Sequence, residues 1–346
     1  MKTHAFFTTL GLGCAWLSGC SGHNVDLDNA AAAGSSAVAG RIDAVILNHE
    51  SDPISGQLTT DETRLYWSTW GGKVQSCLKT DCANTVLTYA DNAAIVDAAG
   101  MPPRVSASAG HLFWTGIAPD YTLFSCPITG CTGSPTKVFR DGRGIQGLVS
   151  DSDYAYWASS LDLYRCQANG CGPTPELVAS GKIQAPVVVG ENAYWLDSEA
   201  SGVSIRTGSK DGSGATSVLV QAARAPLYFT VNADTLLWEN GTGQILSCRL
   251  PDCSGAPTVV VDDPSDSYKT SLIADDTRVY WRNDANLVQS CPLSGCTEPV
   301  TVSADEIQSF TVDSDFVYWT NHHQLDAYLG LNLHRLSKSA LSAMGG

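Results

Sequence analysis

Ten of the twelve cysteines fall into five pairs of identical spacing: Cys77/Cys82, Cys126/Cys131, Cys166/Cys171, Cys248/Cys253 and Cys291/Cys296. The residues between them, LKTD, PITG, QANG, RLPD and PLSG, are turn-like and end in Asp or Gly. Two cysteines facing each other across such a hairpin lie close enough for an S–S bond, and that is the expected chemistry in an oxidising compartment. Zinc is the alternative, and it would need two pairs to converge. His322, His323 and Asp326 carry ligand-type side chains within five positions, but a metal site needs a further ligand. Asp151-Ser152-Asp153 and Asp313-Ser314-Asp315 resemble calcium donors, yet each reads better as a polar turn. Ser76-Cys77-Leu78-Lys79 fits the spacing of a serine–lysine pair, in a hairpin instead of at a helix start. No zinc-protease, nucleophile-elbow or nucleotide-binding pattern occurs in its required context, so no catalytic residue, metal or cofactor is expected.

The elements that carry these residues repeat. An aromatic-Trp or Leu-Trp pair recurs at Tyr66-Trp67, Phe113-Trp114, Tyr156-Trp157, Tyr194-Trp195, Leu237-Trp238, Tyr280-Trp281 and Tyr318-Trp319, with Trp spacings of 47, 43, 38, 43, 43 and 38. A polar turn precedes each pair, and a short β run precedes each turn. After the pair come a loop of variable length, a third run, a tight turn and a fourth run. Four short strands in every 40–45 residues, about seven times over, form the signature of a β-propeller. The first and sixth units even share residues, Thr63-Arg64-Leu65-Tyr66-Trp67 against Thr277-Arg278-Val279-Tyr280-Trp281.

The motif reads YWST, FWTG, YWAS, YWLD, LWEN, YWRN and YWTN, and over residues 43–346 it resembles the YWTD propellers of lipoprotein-receptor type. That resemblance implies an all-β fold of four-stranded antiparallel blades. Two departures stand out: the motif's Asp is mostly replaced, and seven units are present where those receptors have six. Each Trp is expected to pack between neighbouring blades while the residue before it faces the other way. The last unit lacks an outer strand, and Asp43-Ala44-Val45-Ile46-Leu47 precedes the first unit as an orphan strand. Residues 43–47 are therefore expected to pair near Leu331–Leu336 and close a seven-bladed ring, removing its open edges.

Charge narrows the function. With 20 Lys+Arg against 35 Asp+Glu, the net charge of −15 excludes sequence-independent nucleic-acid binding and charge-driven adhesion to anionic lipid. Charged residues at 16% with 43% hydrophobic content exclude disorder for most of the chain.

Export is written at the start. Lys2 precedes an apolar run, Ala5 to Trp16, that is too short to span a bilayer. The run ends in Leu17-Ser18-Gly19-Cys20, which resembles a bacterial lipobox; Cys14 after Leu12-Gly13 is a poorer match. The resemblance implies a signal peptide at 1–19, acylation of Cys20, and, with Ser21 following, sorting to the outer membrane. Several acyl chains make a stable anchor. Residues 20–41 are rich in Ala, Gly and Ser and read as a tether, leaving 42–346 as the propeller.

Loop length is the one asymmetry that points to function. One face of the expected ring has short turns and the cysteines; the other gathers the long loops. The loop-rich face carries Trp70, Arg104, Asp120, Tyr121, Arg140, Arg143, Lys182, Tyr268, Lys269, Arg282, His322, His323, Asp326 and Tyr328 as candidate ligand-binding residues. The expected function is binding of an envelope protein, peptide or glycan by a monomeric, membrane-anchored body. The alternative is an enzyme with its site in the central funnel, as in seven-bladed lyases and quinoprotein-like enzymes.

Overall fold

The computed structural model describes residues 44–48, 54, 57–69, 71–91, 103–108, 110–116, 121–142, 144–159, 161–199, 202–222, 228–266, 269–303, 305–321 and 332–344. They form seven four-stranded antiparallel sheets. Blade 1 runs Thr59–Thr60, Arg64–Ser68, Lys73–Leu78, Leu87–Asp91, and blade 2 runs Val105–Ser108, His111–Thr115, Thr122–Pro127, Thr136–Arg140. Blade 3 comprises Gln146–Ser150, Tyr154–Ser159, Asp162–Gln167 and Glu176–Ser180; blade 4 comprises Ile183–Val189, Asn192–Glu199, Gly202–Ser209 and Ser217–Ala222. Blade 5 holds Phe229–Asn232, Thr235–Glu239, Gln244–Arg249 and Thr258–Asp262, and blade 6 holds Thr270–Ala274, Arg278–Arg282, Val288–Pro292 and Val300–Thr301. Blade 7 has Ile307–Val312, Phe316–Asn321 and Asn332–Ser337, and its fourth strand is Ala44–Asn48 from the other end of the chain. First strands of adjacent blades are neighbours all round, blade 7 with blade 1 included, so the ring is closed.

The core explains the Trp period. In all seven units, the Trp of one blade shares a buried cluster with the aromatic or Leu that precedes the Trp of the blade before it: Trp67 with Tyr318, Trp114 with Tyr66, Trp157 with Phe113, Trp195 with Tyr156, Trp238 with Tyr194, Trp281 with Leu237, Trp319 with Tyr280. Adjacent residues of one strand therefore serve opposite faces of the blade, as the two-residue period requires. Every Trp of the series is buried, and each large ring removes 150–250 Å² from water, roughly, which makes these seams the main adhesive between blades.

The polar turns are built by carboxylates. Asp61 Oδ1 accepts the N–H groups of Thr63 and Arg64 at 2.7 and 2.8 Å, and its other oxygen accepts the Tyr66 hydroxyl. Asp151, Asp275 and Asp313 repeat the arrangement with Tyr156, Tyr280 and Tyr318. The Asp-Ser-Asp stretches are thus turns with a tyrosine clasp. Blades 1 and 6 share a further bond, Arg64 or Arg278 Nε to Ser76 or Ser290 Oγ, at 2.8 Å in both.

All five cysteine pairs are disulfides within one blade, with Cα separations of 4.7 to 5.8 Å. Their placement nevertheless corrects the expectation of two cysteines facing each other across paired strands. Cys77, Cys126, Cys166, Cys248 and Cys291 do lie near the ends of third strands. Cys82, Cys131, Cys171, Cys253 and Cys296 do not lie on the fourth strands, which begin only at Leu87, Thr136, Glu176, Thr258 and Val300. They sit in the connecting turns, because four intervening residues are used up in reversing the chain before the outer strand can start. Each instead packs against the outer strand of the blade before it. Cys82 is buried in a cluster with Leu47, and Cys131 is half-buried beside Tyr89. Cys171 lies against Val138 and Phe139, and its N–H donates to the Val138 carbonyl at 3.4 Å. Cys253 shares a cluster with Leu219 and Val220, and Cys296 with Val260 and Val261. The disulfides therefore stiffen a turn and fill a blade seam together.

Ring closure also shifts by a residue from the expected range. Ala44 pairs with Arg335, Val45 with His334, Leu47 with Leu333 and Asn48 with Asn332, with a bulge between Val45 and Leu47. The bulge turns Leu47 into the core while Val45 stays 53% exposed. After the third strand of blade 7 the chain forms a helix, Lys338–Met344, which the repeat pattern does not foretell; its Leu341 is fully buried against blades 6 and 7. No helix among the described residues is long and apolar enough to cross a membrane.

Candidate functional site: the loop-face mouth of the central channel

The first strands of the seven blades surround a channel with a cavity of about 790 Å³. The lining runs along the first strands as far as Val149, Ile273 and Thr311, and it takes in the ends of two second strands at Thr115 and Arg282, which carries the cavity to the loop-rich face. Such a volume lies within the range of small-ligand sites.

Three of the candidate residues come together there. Arg104 precedes the first strand of blade 2. Its backbone N–H donates to Thr115 Oγ1 at 3.0 Å and its carbonyl accepts from Thr115 N at 3.1 Å, which pins its Cα at the channel rim. Its side chain is exposed at the rim, and partial desolvation by the surrounding protein lowers the pKa of the guanidinium. Tyr121 sits across the same blade in a left-handed conformation, φ 39°, and its ring lies against Gly144. Arg282 ends the second strand of blade 6. Its Nε donates to Thr270 Oγ1 at 3.1 Å and Nη1 donates to the Gln308 carbonyl at 3.4 Å, so it bridges blades 6 and 7. Tyr228, Phe229 and Phe310 complete an aromatic part of the wall.

Other candidates fall elsewhere. Arg140 is exposed at the end of the outer strand of blade 2, opposite Thr122. Lys182 is exposed between blades 3 and 4, with its backbone N–H on Asp197 Oδ1 at 3.0 Å. Neither lines the channel. Lys269 corrects the sequence reading: its side chain has no exposure at all. Its Nζ is spent on Asp266 Oδ2 at 3.3 Å and on the carbonyls of Asp263 and Asp266. It is a strut under the loop that enters blade 6, and no ligand reaches it. Trp70, Asp120, Arg143, Tyr268, His322, His323, Asp326 and Tyr328, like the acylation candidate Cys20, lie outside the described residues. Among the described residues, no group of three or more His, Cys, Asp or Glu is placed to hold a metal.

Sequence reasoning missed the carboxylates that build the loop-rich face from within. Asp141 and Asp266 accept Trp157 and Trp281 Nε1, both at 3.3 Å; Asp266 also accepts Asp284 N at 2.8 Å. Asp197 accepts Lys182 N and pairs with Arg206 at 3.2 Å. All three are buried, as is Glu239. Asp141 and Asp266 lie 16 and 15 residues before the Trp they cap, the one spacing that marks them, whereas Asp197 and Glu239 follow their Trp by two residues and one.

No family model matches the chain, and no curated protein sequence matches it. Solved structures do. YCF48 from Cyanidioschyzon merolae is similar with a TM-score of 0.58 at 12% identity, covering 84% of this chain and 97% of that one. A structure of YCF48 bound to D1 peptide gives 0.56 at 12% identity, covering 85% and 94%. BamB from Moraxella catarrhalis gives 0.50 at 14% identity, covering 82% and 83%. At such identities the likeness is one of fold.

Proposed function

We propose that this chain is a lipid-anchored protein of the bacterial outer membrane whose monomeric seven-bladed body binds a protein, peptide or glycan through its loop-rich face. The observation that carries the reading is the division of labour between faces. One face is tied down by five disulfides and carboxylate-built turns; the other carries the longer loops around an open channel lined by guanidinium and aromatic groups. A rigid frame that presents variable loops is the usual architecture of a binding site. The existence of a YCF48 structure bound to D1 peptide shows that a propeller of similar fold takes a peptide partner. Anchoring is supported by Leu17-Ser18-Gly19-Cys20, followed by an Ala/Gly/Ser-rich stretch long enough to hold the body off the membrane.

Two experiments test the two halves. Cys20→Ala should abolish metabolic labelling by a fatty-acid analogue; labelling that persists contradicts the anchor. Residues 42–346, immobilised and exposed to envelope extract, should retain a partner that is released by Lys182→Glu or Arg140→Glu on the loop-rich face. Release by Arg249→Glu on the opposite face, with no effect of the other two, contradicts the assignment of the face.

A further inference from the structure

Among the described residues, the lining of the channel carries a charge opposite to that of the chain. The chain has 35 acidic and 20 basic residues, yet none of the described residues that line the cavity is Asp or Glu, and the two ionised side chains there are Arg104 and Arg282. Exposed acids on the loop-rich face, Glu199, Asp284 and Glu306 among them, do not line the cavity; Asp141 and Asp266 cap tryptophans, and Asp197 holds Arg206. These last three are buried in the framework and do not reach the channel.

The two arginines are left with unused donors. The Arg104 side chain is exposed to the cavity, and no hydrogen bond or ion pair joins its guanidinium to another described residue. An exposed guanidinium with no counter-charge beside it keeps its donors open to a bound anion. Arg282 uses Nε and Nη1 on Thr270 and Gln308, which fixes the plane of its fork and leaves the remaining N–H groups of its five available. Arg104 and Arg282 come from blades 2 and 6, which are not adjacent in the ring, and both line the same cavity. Planar forks match planar carboxylates in pairs of hydrogen bonds. Phosphate oxygens accept from the same forks, so inorganic phosphate is the discriminating probe.

We infer that the loop-face mouth of the central channel is a site for a carboxylate-bearing ligand, anchored by Arg104 and Arg282 and flanked by Tyr121 and Tyr228. The inference rests on the binding reading above and names the chemistry that the face recognises. Two sources supply that chemistry, a small free polycarboxylate and the acidic side chains of a peptide.

The test uses the full chain in detergent and four probes: citrate, a hexaglutamate peptide, a hexaglutamine peptide and inorganic phosphate. Calorimetry should show saturable binding of citrate or hexaglutamate, weakened about tenfold or more by Arg104→Gln and by Arg282→Gln, since each variant removes a charge-assisted pair. Arg249→Gln serves as the control; its guanidinium pairs with Asp234 on the opposite face and its loss should change nothing. Unchanged tryptophan emission shows that the variants are folded. Binding of citrate alone assigns the free acid, and binding of hexaglutamate alone assigns the peptide. Equal binding of hexaglutamine, equal binding of phosphate, indifference to both arginines, or binding of no probe overturns the inference. Capture of an envelope partner that survives both Gln variants would overturn it too, while leaving the binding reading in place.

Discussion

Lys79 Nζ lies 2.8 Å from Asp313 Oδ2, and this ion pair joins blade 1 to blade 7 across the seam where the chain closes on itself. The same device recurs at two other seams. Lys338 of blade 7 pairs with Asp275 of blade 6, and Lys210 of blade 4 pairs with Asp151 of blade 3 at 3.2 Å. Each lysine directly follows a third strand, and each aspartate opens the first turn of the preceding blade. The aspartate also holds its own blade's tyrosine, so one carboxylate ties a turn, a core ring and a neighbouring blade.

Removing one member of the closing pair should therefore cost more than an exposed ion pair does. Both side chains are only slightly accessible, at 11% and 13%. Asp313→Asn should lower stability by about 2–3 kcal/mol, between the values for exposed and fully buried pairs. A double-mutant cycle with Lys79→Met, read by denaturant unfolding, should show a clear coupling energy; additive losses would show that the pair does not latch the ring.

Acid should weaken the same seams. Burial alone would raise the Asp275 pKa, but Lys338 Nζ and the N–H groups of Thr277 and Arg278 outweigh it and bring the value from 3.8 to about 2. Asp313 and Asp151 are also lowered against the effect of burial, by Lys79 or Lys210 and by turn N–H groups. The unfolded chain takes up these protons first. Stability from the carboxylates is thus complete above about pH 5 and lost as pH falls through the folded values, by up to about 2 kcal/mol for Asp275. Melting curves across that window should show the decline, and Asp275→Asn should flatten it. A variant with the full acid sensitivity would assign the effect to other groups.

Closure by the N-terminal strand makes a sharp truncation prediction. Deleting residues 20–41 should leave the melting temperature nearly unchanged. Deleting through Asn48 removes the ladder to Asn332–Ser337 and the buried Leu47. Ladder bonds at about 1 kcal/mol each and a Leu at about 2 kcal/mol make the loss several kcal/mol. The bared edge should also promote aggregation. Equal melting of the two truncations would contradict the role of Ala44–Asn48.

Each disulfide closes a loop of about six residues and so contributes roughly 2 kcal/mol in the chain-entropy estimate. Peptide mapping without reduction should return the five close pairs. Replacing both Cys291 and Cys296 with Ala should lower the melting temperature without changing the blade count, whereas removing Cys291 alone should leave Cys296 reactive to thiol reagents.

Fold and site differed in how far the sequence revealed them. Tyr66-Trp67 and its six counterparts were legible because strand alternation forces each pair to serve two seams at once, and the seams recur at every blade. The partners of Cys82, Cys131 and Cys171 were legible from spacing, but their seats on the preceding blade were not, since those depend on where Leu87, Thr136 and Glu176 resume the sheet. The orphan Ala44–Asn48 was legible by strand arithmetic, though not its bulge, which depends on how Leu47 meets Leu333. The helix Lys338–Met344 escaped because it is short and held by packing of Leu341, not by its own propensity. At the site, Arg104 and Arg282 stood out by residue type, but so did Lys269. Nothing local distinguishes an arginine with open donors from a lysine whose ammonium is surrounded by Asp263 and Asp266. That difference lives in loop conformation, which period and composition do not encode.

The central claim is that ligand is held at the loop-face mouth of the channel. Amide hydrogen exchange of the chain, with and without the partner retained from envelope extract, tests it most directly. The account predicts slowed exchange at Arg104–Val105, Thr115–Gly116, Tyr121 and Gln308–Ser309, with the turns at Asp61–Arg64 and Asp275–Arg278 unchanged. Protection confined to those turns and the disulfide loops, with none at the mouth, would contradict it.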